Sequence, residues 1–408
     1  MKSVDSGLIC SQKRLGKAGL IALITFLSVV APLSTDMYLP ALPSMTAYFS
    51  TSATVVNFTL SGFFFFMALG ILFFGAASDK YGRKRILLLS VGMYCLFSGA
   101  CAIATNIYAL IIFRLLEALG AGGMMAISTA IIKDAFSEHT RDAVLAIVMT
   151  MSVLGPMVAP LLGAGILSFT NWRGTFVALA IISAICLLIS AMMEETLPKG
   201  ERLDCSILGT IANLGKVSKH VGFSTFLLVA SFLSAPFMAY IAICSYIYID
   251  LFQLSSTTYS LFFATNSCIC ALGPFLYLKS QKYFSAKQLM FVFIAATFLA
   301  AGLMFTIAPR SPFLFFLSFV PITLMSSSLR PFATAVLLRQ HDKDAGAVSS
   351  VLNFVLTIFG SFGMVIGSLS WSNYIFGLAF TIFMFAVLAA VLWVIILKSN
   401  IKLVSVKD

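Results

Sequence analysis

The chain has 408 residues, of which 60% are hydrophobic and 10% charged, and its mean hydropathy is +1.02. That balance excludes a soluble globular domain, which needs far more polar surface, and fits a protein that crosses a membrane many times. The net charge of +11 would suit nucleic acid, yet 22 of the 26 Lys and Arg residues fall in one alternate set of loops. The basicity is therefore a topology signal that places both termini in the cytoplasm, with no nucleic-acid partner.

Runs of about 20 apolar residues suffice to cross a hydrocarbon core of about 30 Å, and in lipid only a helix satisfies its own backbone. On that rule the sequence predicts an all-α polytopic membrane protein with twelve transmembrane helices. The first six have approximate limits 17–40, 54–77, 86–104, 107–132, 143–168 and 174–193. The second six are 222–249, 258–278, 288–308, 312–338, 346–369 and 374–397. The longest polar stretch separates the sets, giving an amino-terminal six-helix bundle over 1–193, a central cytoplasmic loop over 194–221 and a carboxy-terminal bundle over 222–408.

The first helix ends in the run Ser34 to Pro43, where Asp36 stands near the outer end of an apolar segment with Pro32 and Pro40 disturbing the backbone. Buried in a central cavity, Asp36 could exchange protons near neutral pH; facing water, it is an ordinary interfacial acid. The four consecutive Phe residues from Phe63 to Phe66 in the second helix point in all directions and read as packing.

The second and third helices are joined by a knot of charge, Gly75 to Arg85. Lys80, Arg83, Lys84 and Arg85 keep this loop out of hydrocarbon, Asp79 stands among them, and Gly75 and Gly82 permit close approach or a tight turn.

In the fourth helix Arg114 and Glu117 are three residues apart and share a face at membrane depth. They form either a mutually neutralising structural pair or part of a polar cavity. Asp134, at the cytoplasmic end of the same helix, is a candidate partner for Arg83. The fifth helix places Gly155, Ala159 and Gly163 at every fourth residue, a small-residue stripe for close helix packing, with Pro156 and Pro160 bending it. In the second half, Arg330 lies within the tenth helix just before Pro331, too deep to snorkel fully, and is expected to face a cavity. Gly363 and Gly367 echo the stripe of the fifth helix. A faint internal repeat joins the halves: Ser78-Asp79-Lys80-Tyr81 returns as Ser280-Gln281-Lys282-Tyr283, and Phe284, Ser285 and Ala286 stand where Gly82, Arg83 and Lys84 stood.

The eight Cys residues show no zinc-type spacing, and His139, His220 and His341 fall in the predicted cytoplasmic loops, so no metal site, catalytic residue or enzyme activity is expected.

These motifs carry a resemblance. Gly75, Asp79, Gly82, Arg83 and Lys84 match the loop signature Gly-x-x-x-Asp-x-x-Gly-Arg-Lys of the major facilitator superfamily, in which that loop is a cytoplasmic latch between the two halves. Asp36 to Pro43 resembles the Asp-x-Tyr-Leu-Pro-Ala-x-Pro run of its bicyclomycin/chloramphenicol-resistance (Bcr/CflA) branch of drug:proton antiporters. Arg114 and Gly120 match the superfamily's fourth-helix motif, but Glu117 places an acid where a neutral amide is common. Gly155, Pro156, Ala159, Pro160 and Gly163 resemble the antiporter motif Gly-Pro-x-x-Gly-Gly, with Ala159-Pro160 in place of the paired Gly.

The resemblance implies a major facilitator fold and proton-coupled efflux of small amphipathic organic compounds or drugs by alternating access. Proton coupling is expected at Asp36 and, where the chain departs from the family's amide, at Glu117, with a substrate cavity including Asp36, Arg114, Glu117 and Arg330. The energy source would be the proton gradient, without a cofactor, in a monomer in the bacterial inner membrane. A dedicated metabolite or siderophore exporter and an uptake symporter remain as alternatives, with a non-transporting sensor behind them.

Overall fold

Backbone groups in hydrocarbon have no water to bond, and each apolar stretch meets that demand as helix. The computed structural model describes residues 7–10, 12–202, 220–340, 345–399 and 403. Among them twelve helices are long and apolar enough to cross a membrane. They are α1 (Gly16–Asp36), α2 (Ala53–Tyr81), α3 (Arg83–Ala102), α4 (Ile107–Ala135), α5 (Glu138–Phe169) and α6 (Trp172–Met192), followed by α7 (Val221–Ser245), α8 (Ser256–Ser280), α9 (Ala286–Thr306), α10 (Pro312–Leu338), α11 (Ala345–Gly367) and α12 (Tyr374–Lys398).

Helix starts follow local chemistry. Asn106 Oδ1 accepts the Ala109 N–H at 2.8 Å and begins α4, and Ser311 Oγ accepts the Leu314 N–H at 3.2 Å and begins α10. Between α2 and α3 the chain turns at Gly82, whose φ of +100° suits only a residue without a Cβ.

Several boundaries differ from the expected ones: α2 runs on to Tyr81 and α3 starts at Arg83, so only Gly82 of the expected charged loop lies between helices. The fifth helix begins at Glu138 rather than near 143, so His139 lies in its first turn and not in a loop. Polar residues continue a helix beyond its apolar span, where hydropathy does not follow. After Asp36 the chain continues through a 3₁₀ turn at Leu39–Ala41 into a short helix, Leu42–Tyr48. The expected central loop over 194–221 lies mostly outside the described residues, as does His341.

The chain groups into two compact units, Met1–Ala41 with Phe65–Ile211, and Leu42–Phe64 with Ala212–Asp408. In the first, α1 packs against α4, α5 and α6, while α3 packs against α4 and α6. In the second, α7 packs against α10, α11 and α12, while α9 packs against α10 and α12. Adding six to each helix number converts one pattern into the other, which is how the internal repeat seen faintly in the sequence appears in space.

Candidate functional site

The first unit holds a charged cluster with no exposed surface. Arg114 and Glu117 of α4 are both 0% exposed, and the Arg114 guanidinium meets the Glu117 carboxylate at 2.9 Å. The close approach that buries them comes from α4's small residues. A Cβ on Gly120 would press on the backbone of Ser90 and Tyr94 in α3, and one on Gly123 would strike the Ser90 side chain. Arg114 also donates to Ser34 Oγ at 3.1 Å and to the Ser34 carbonyl at 3.2 Å on α1. Its plane lies over the Tyr38 ring at 4.7 Å and the Phe176 ring at 5.5 Å, contacts that favour a desolvated cation.

Glu117 receives four donors: Arg114, Ser98 Oγ at 2.7 Å, Ser34 Oγ at 3.5 Å and Cys101 Sγ at 3.7 Å. Helices α1, α3 and α4 thus all supply groups to one carboxylate. A buried ion pair costs several kcal/mol per ion in desolvation, which the donors on Glu117 and the Ser34 and ring contacts of Arg114 help to offset.

Asp36 is two residues from Ser34 but differently served. It is 6% exposed, and among the described residues it accepts one hydrogen bond, from Thr35 Oγ1 at 3.0 Å. That hydroxyl also reaches the Ala31 carbonyl at 3.2 Å and the Pro32 carbonyl at 3.3 Å, so its one proton is shared. The α5 stripe lies against α1 on both sides of this acid. A Cβ on Gly155 would come within 3.0 Å of Pro32, one on Gly163 would strike the Met37 carbonyl, and Ala159 between them is fully buried. Pro156 and Pro160 stand inside α5 beside that stripe.

The charged stretch from Gly75 to Arg85, which runs from the last turns of α2 through Gly82 into the first turn of α3, forms a second cluster. Arg83 Nε donates to Asp134 Oδ2 at 2.7 Å, and its Nη1 donates to Ser78 Oγ at 2.7 Å and to the Asp79 carboxylate. The expected Arg83–Asp134 pair is present. Glu195, from the exit of α6, adds a contact the sequence did not reveal: its Oε1 accepts the backbone N–H of Arg83 at 2.9 Å and of Lys84 at 3.4 Å. A carboxylate on the amino end of a 20-residue helix satisfies orphan donors and complements the helix dipole. Glu195 Oε2 meets Arg202 at 3.6 Å. A Cβ on Gly82 would come within 2.5 Å of that oxygen, so the glycine permits both the turn and the acid's approach. Gly75 faces Ala126 at ordinary contact distance.

Arg330, in the second unit, is exposed on α10 and donates to Asn353 Oδ1 of α11 at 2.5 Å. The helix-four pair was legible because its members share one face. Ser34, Tyr38, Ser98, Cys101 and Phe176 were not, since each comes from another helix and looks like ordinary packing in its own segment.

Comparison with known proteins places the chain in a family and a fold. Residues 24–364 match the Major Facilitator Superfamily. The chain is 27% identical over 352 residues to the uncharacterized MFS-type transporter YdgK of Bacillus subtilis (strain 168), covering 85% of this chain and 87% of that one. It is 25% identical over 281 residues to a bicyclomycin resistance protein homolog of Haemophilus influenzae, covering 69% and 71%. Its fold is similar to that of a D-xylose-proton symporter, with TM-score 0.71 at 15% identity, covering 93% of this chain and 97% of that one. Twelve apolar helices, the loop signature in place, and a match over most of the length lead to one conclusion: this multi-pass membrane protein belongs to the major facilitator superfamily of transporters.

Proposed function

We propose that the protein is a proton-coupled exporter of small amphipathic organic molecules that works by alternating access. It would sit in a bacterial inner membrane with both termini cytoplasmic, as the distribution of Lys and Arg favours. The observation that carries the coupling assignment is the unequal service of two neighbouring acids. Glu117 has four donors, two on each carboxylate oxygen, so a proton on either oxygen would compete with donors already seated there. Asp36 has one shared hydroxyl, so gaining or losing a proton disturbs little around it. In this reading Asp36 carries the proton, and Glu117 holds Arg114 against α1.

Support for the export direction comes from the α5 stripe against α1 and from the relative with bicyclomycin resistance in its name. The driving force would be about 2.3 kcal/mol per charge per 100 mV, plus the pH gradient. The fold is shared with a proton symporter, which keeps uptake as a second reading. Inverted membrane vesicles with a pH-sensitive dye, challenged with cationic, zwitterionic and neutral amphipathic compounds, test both readings. Export predicts compound-induced proton release from the energised lumen and its loss in Asp36→Asn. A symporter instead needs the compound and the proton to move the same way. Full proton-dependent transport in Asp36→Asn contradicts the coupling assignment.

A further inference from the structure

The segment before α1 reaches the chain beside Asp134 and Glu195, two of the acids that hold this charged cluster. Its backbone pairs with the turn between α4 and α5. The Ile9 N–H donates to the Ala135 carbonyl at 2.8 Å, the Ser137 N–H donates to the Gly7 carbonyl at 3.0 Å, and Leu8 and Phe136 form an antiparallel bridge. Four residues later the side chain of Gln12, 6% exposed, pairs with the backbone of Glu194 as a peptide group would. Its Nε2 donates to the Glu194 carbonyl at 3.0 Å, and its Oε1 accepts the Glu194 N–H at 3.0 Å.

The two anchor points are informative. Ala135 follows Asp134, which pairs with Arg83, and Glu194 precedes Glu195, which caps the amino end of α3 through Arg83 and Lys84. The segment therefore fastens to the immediate chain neighbour of each acid. The Glu195 carboxylate also accepts the N–H groups of Thr196 and Leu197 at 3.1 and 3.2 Å, so its place depends on the path of this short exit strand. The other end of the segment runs into α1, since the Gly16 N–H donates to the Gln12 carbonyl at 2.8 Å.

We infer that residues 7–10 together with Gln12 form a strap that positions Glu195 on the amino end of α3, with Gln12 as the positioning residue and Gly7 as the far anchor. Buried amides are kept when both their bonds are made, and the Gln12 amide makes both with the backbone of one residue, Glu194. Gly7 has φ of +64°, and a Cβ there would strike the Thr140 hydroxyl, so any larger residue lifts that end of the strap. The consequence is that the α6 exit and the α4–α5 turn do not move independently of the entrance to α1, the helix that carries Asp36. That consequence rests on the coupling assignment proposed above; the strap itself does not.

Amide hydrogen exchange on the full-length protein in lipid nanodiscs tests the inference without any substrate. Gln12→Met removes the amide but keeps the bulk, Gly7→Val lifts the other anchor, and a double variant combines them. In the double variant the amides of Arg83 and Lys84 should exchange roughly tenfold faster or more, since their acceptor is no longer held in place. The Ala109 amide, capped by Asn106 on α4, should stay unchanged, as should all of them in Lys13→Ala at an exposed neighbouring position. Unaltered exchange at Arg83 and Lys84 in the double variant overturns the inference. So does an equal rise at Ala109, which would mean general loosening. Transport is not measured here, so failure of the strap and failure of the export reading are distinguishable.

Discussion

The two units fill one packing position in opposite ways. Counting from the caps Asn106 and Ser311, Arg114 and Phe319 both stand eight residues on, and Glu117 and Ile322 both stand eleven on. Tyr240 follows Tyr38 by 202 residues, the same interval that separates Ser280 from Ser78. In the first unit Arg114 lies over Tyr38 at 4.7 Å, whereas in the second Phe319 stacks on Tyr240 at 3.9 Å with 14° between the rings. Phe319 and Ile322 are as buried as the pair they replace. The fold therefore accepts an apolar solution at this position, and the second unit uses it. The architecture does not require charges at this position, and their part in transport is open to test by the variants below.

The helix starts show the same contrast. In the first unit the amino end of α3 is closed by Glu195, 112 residues away from Arg83. In the second unit α9 closes its own end: Ser285 Oγ accepts the Gln288 N–H at 3.3 Å, and the Gln288 side chain accepts the Ser285 N–H at 2.9 Å. This is a capping box. The second copy has Ser285 and Ala286 where Arg83 and Lys84 stand, and Ser285 supplies a local cap, so one end is tied to distant chain and the other is self-sufficient.

Breaking the buried pair should have the largest effect. Arg114→Leu leaves Glu117 buried beside hydroxyls and a thiol, and should destabilise by about 3–5 kcal/mol, measured by unfolding in detergent. The double variant Arg114→Phe with Glu117→Ile copies the second unit and should recover most of that loss or exceed wild type. Near-additive losses in the double variant would show that the two units are not interchangeable at this position.

Uncapping is the next step down. Glu195→Ala should cost about 0.5–2 kcal/mol of stability and also alter transport, while Ser285→Ala should cost about 1 kcal/mol and leave transport as it was. Transport defects of equal size in both would erase the distinction between a tied and a self-sufficient end.

Much of this contrast could not be read from sequence. The twelve spans were legible because about 20 apolar residues leave a helix no alternative in lipid. The Arg114–Glu117 pair was legible because three residues bring two side chains to one face. The partners were not legible, since Ser34, Ser98 and Tyr38 meet the pair only after α1 and α3 have packed on α4. Glu195 stands at the exit of α6, and nothing in its local sequence points to the start of α3. Gln12 sits in a short polar lead-in, where a buried amide is not expected. The boundary at Glu138 was missed for a different reason, because hydropathy marks where lipid ends and not where the helix does.

The smallest expected effect concerns the thiol in the strap. Burial pushes the Cys10 thiol above its ordinary range, which leaves less thiolate at neutral pH and slows alkylation. With Cys10 as the sole cysteine, Gly7→Val should raise its rate of reaction with iodoacetamide several-fold as the segment becomes exposed, followed by mass spectrometry. Rising pH should speed the reaction in both proteins, with the variant reaching its plateau at lower pH. Identical rates would mean that the segment stays seated without its glycine.

The central claim is that the buried charges of the first unit serve transport and not architecture. Its most direct test is proton-dependent transport by the folded Arg114→Phe, Glu117→Ile double variant in inverted vesicles. The account predicts a stable, correctly inserted protein with no compound-induced proton movement. Transport at the wild-type level in that variant would contradict it.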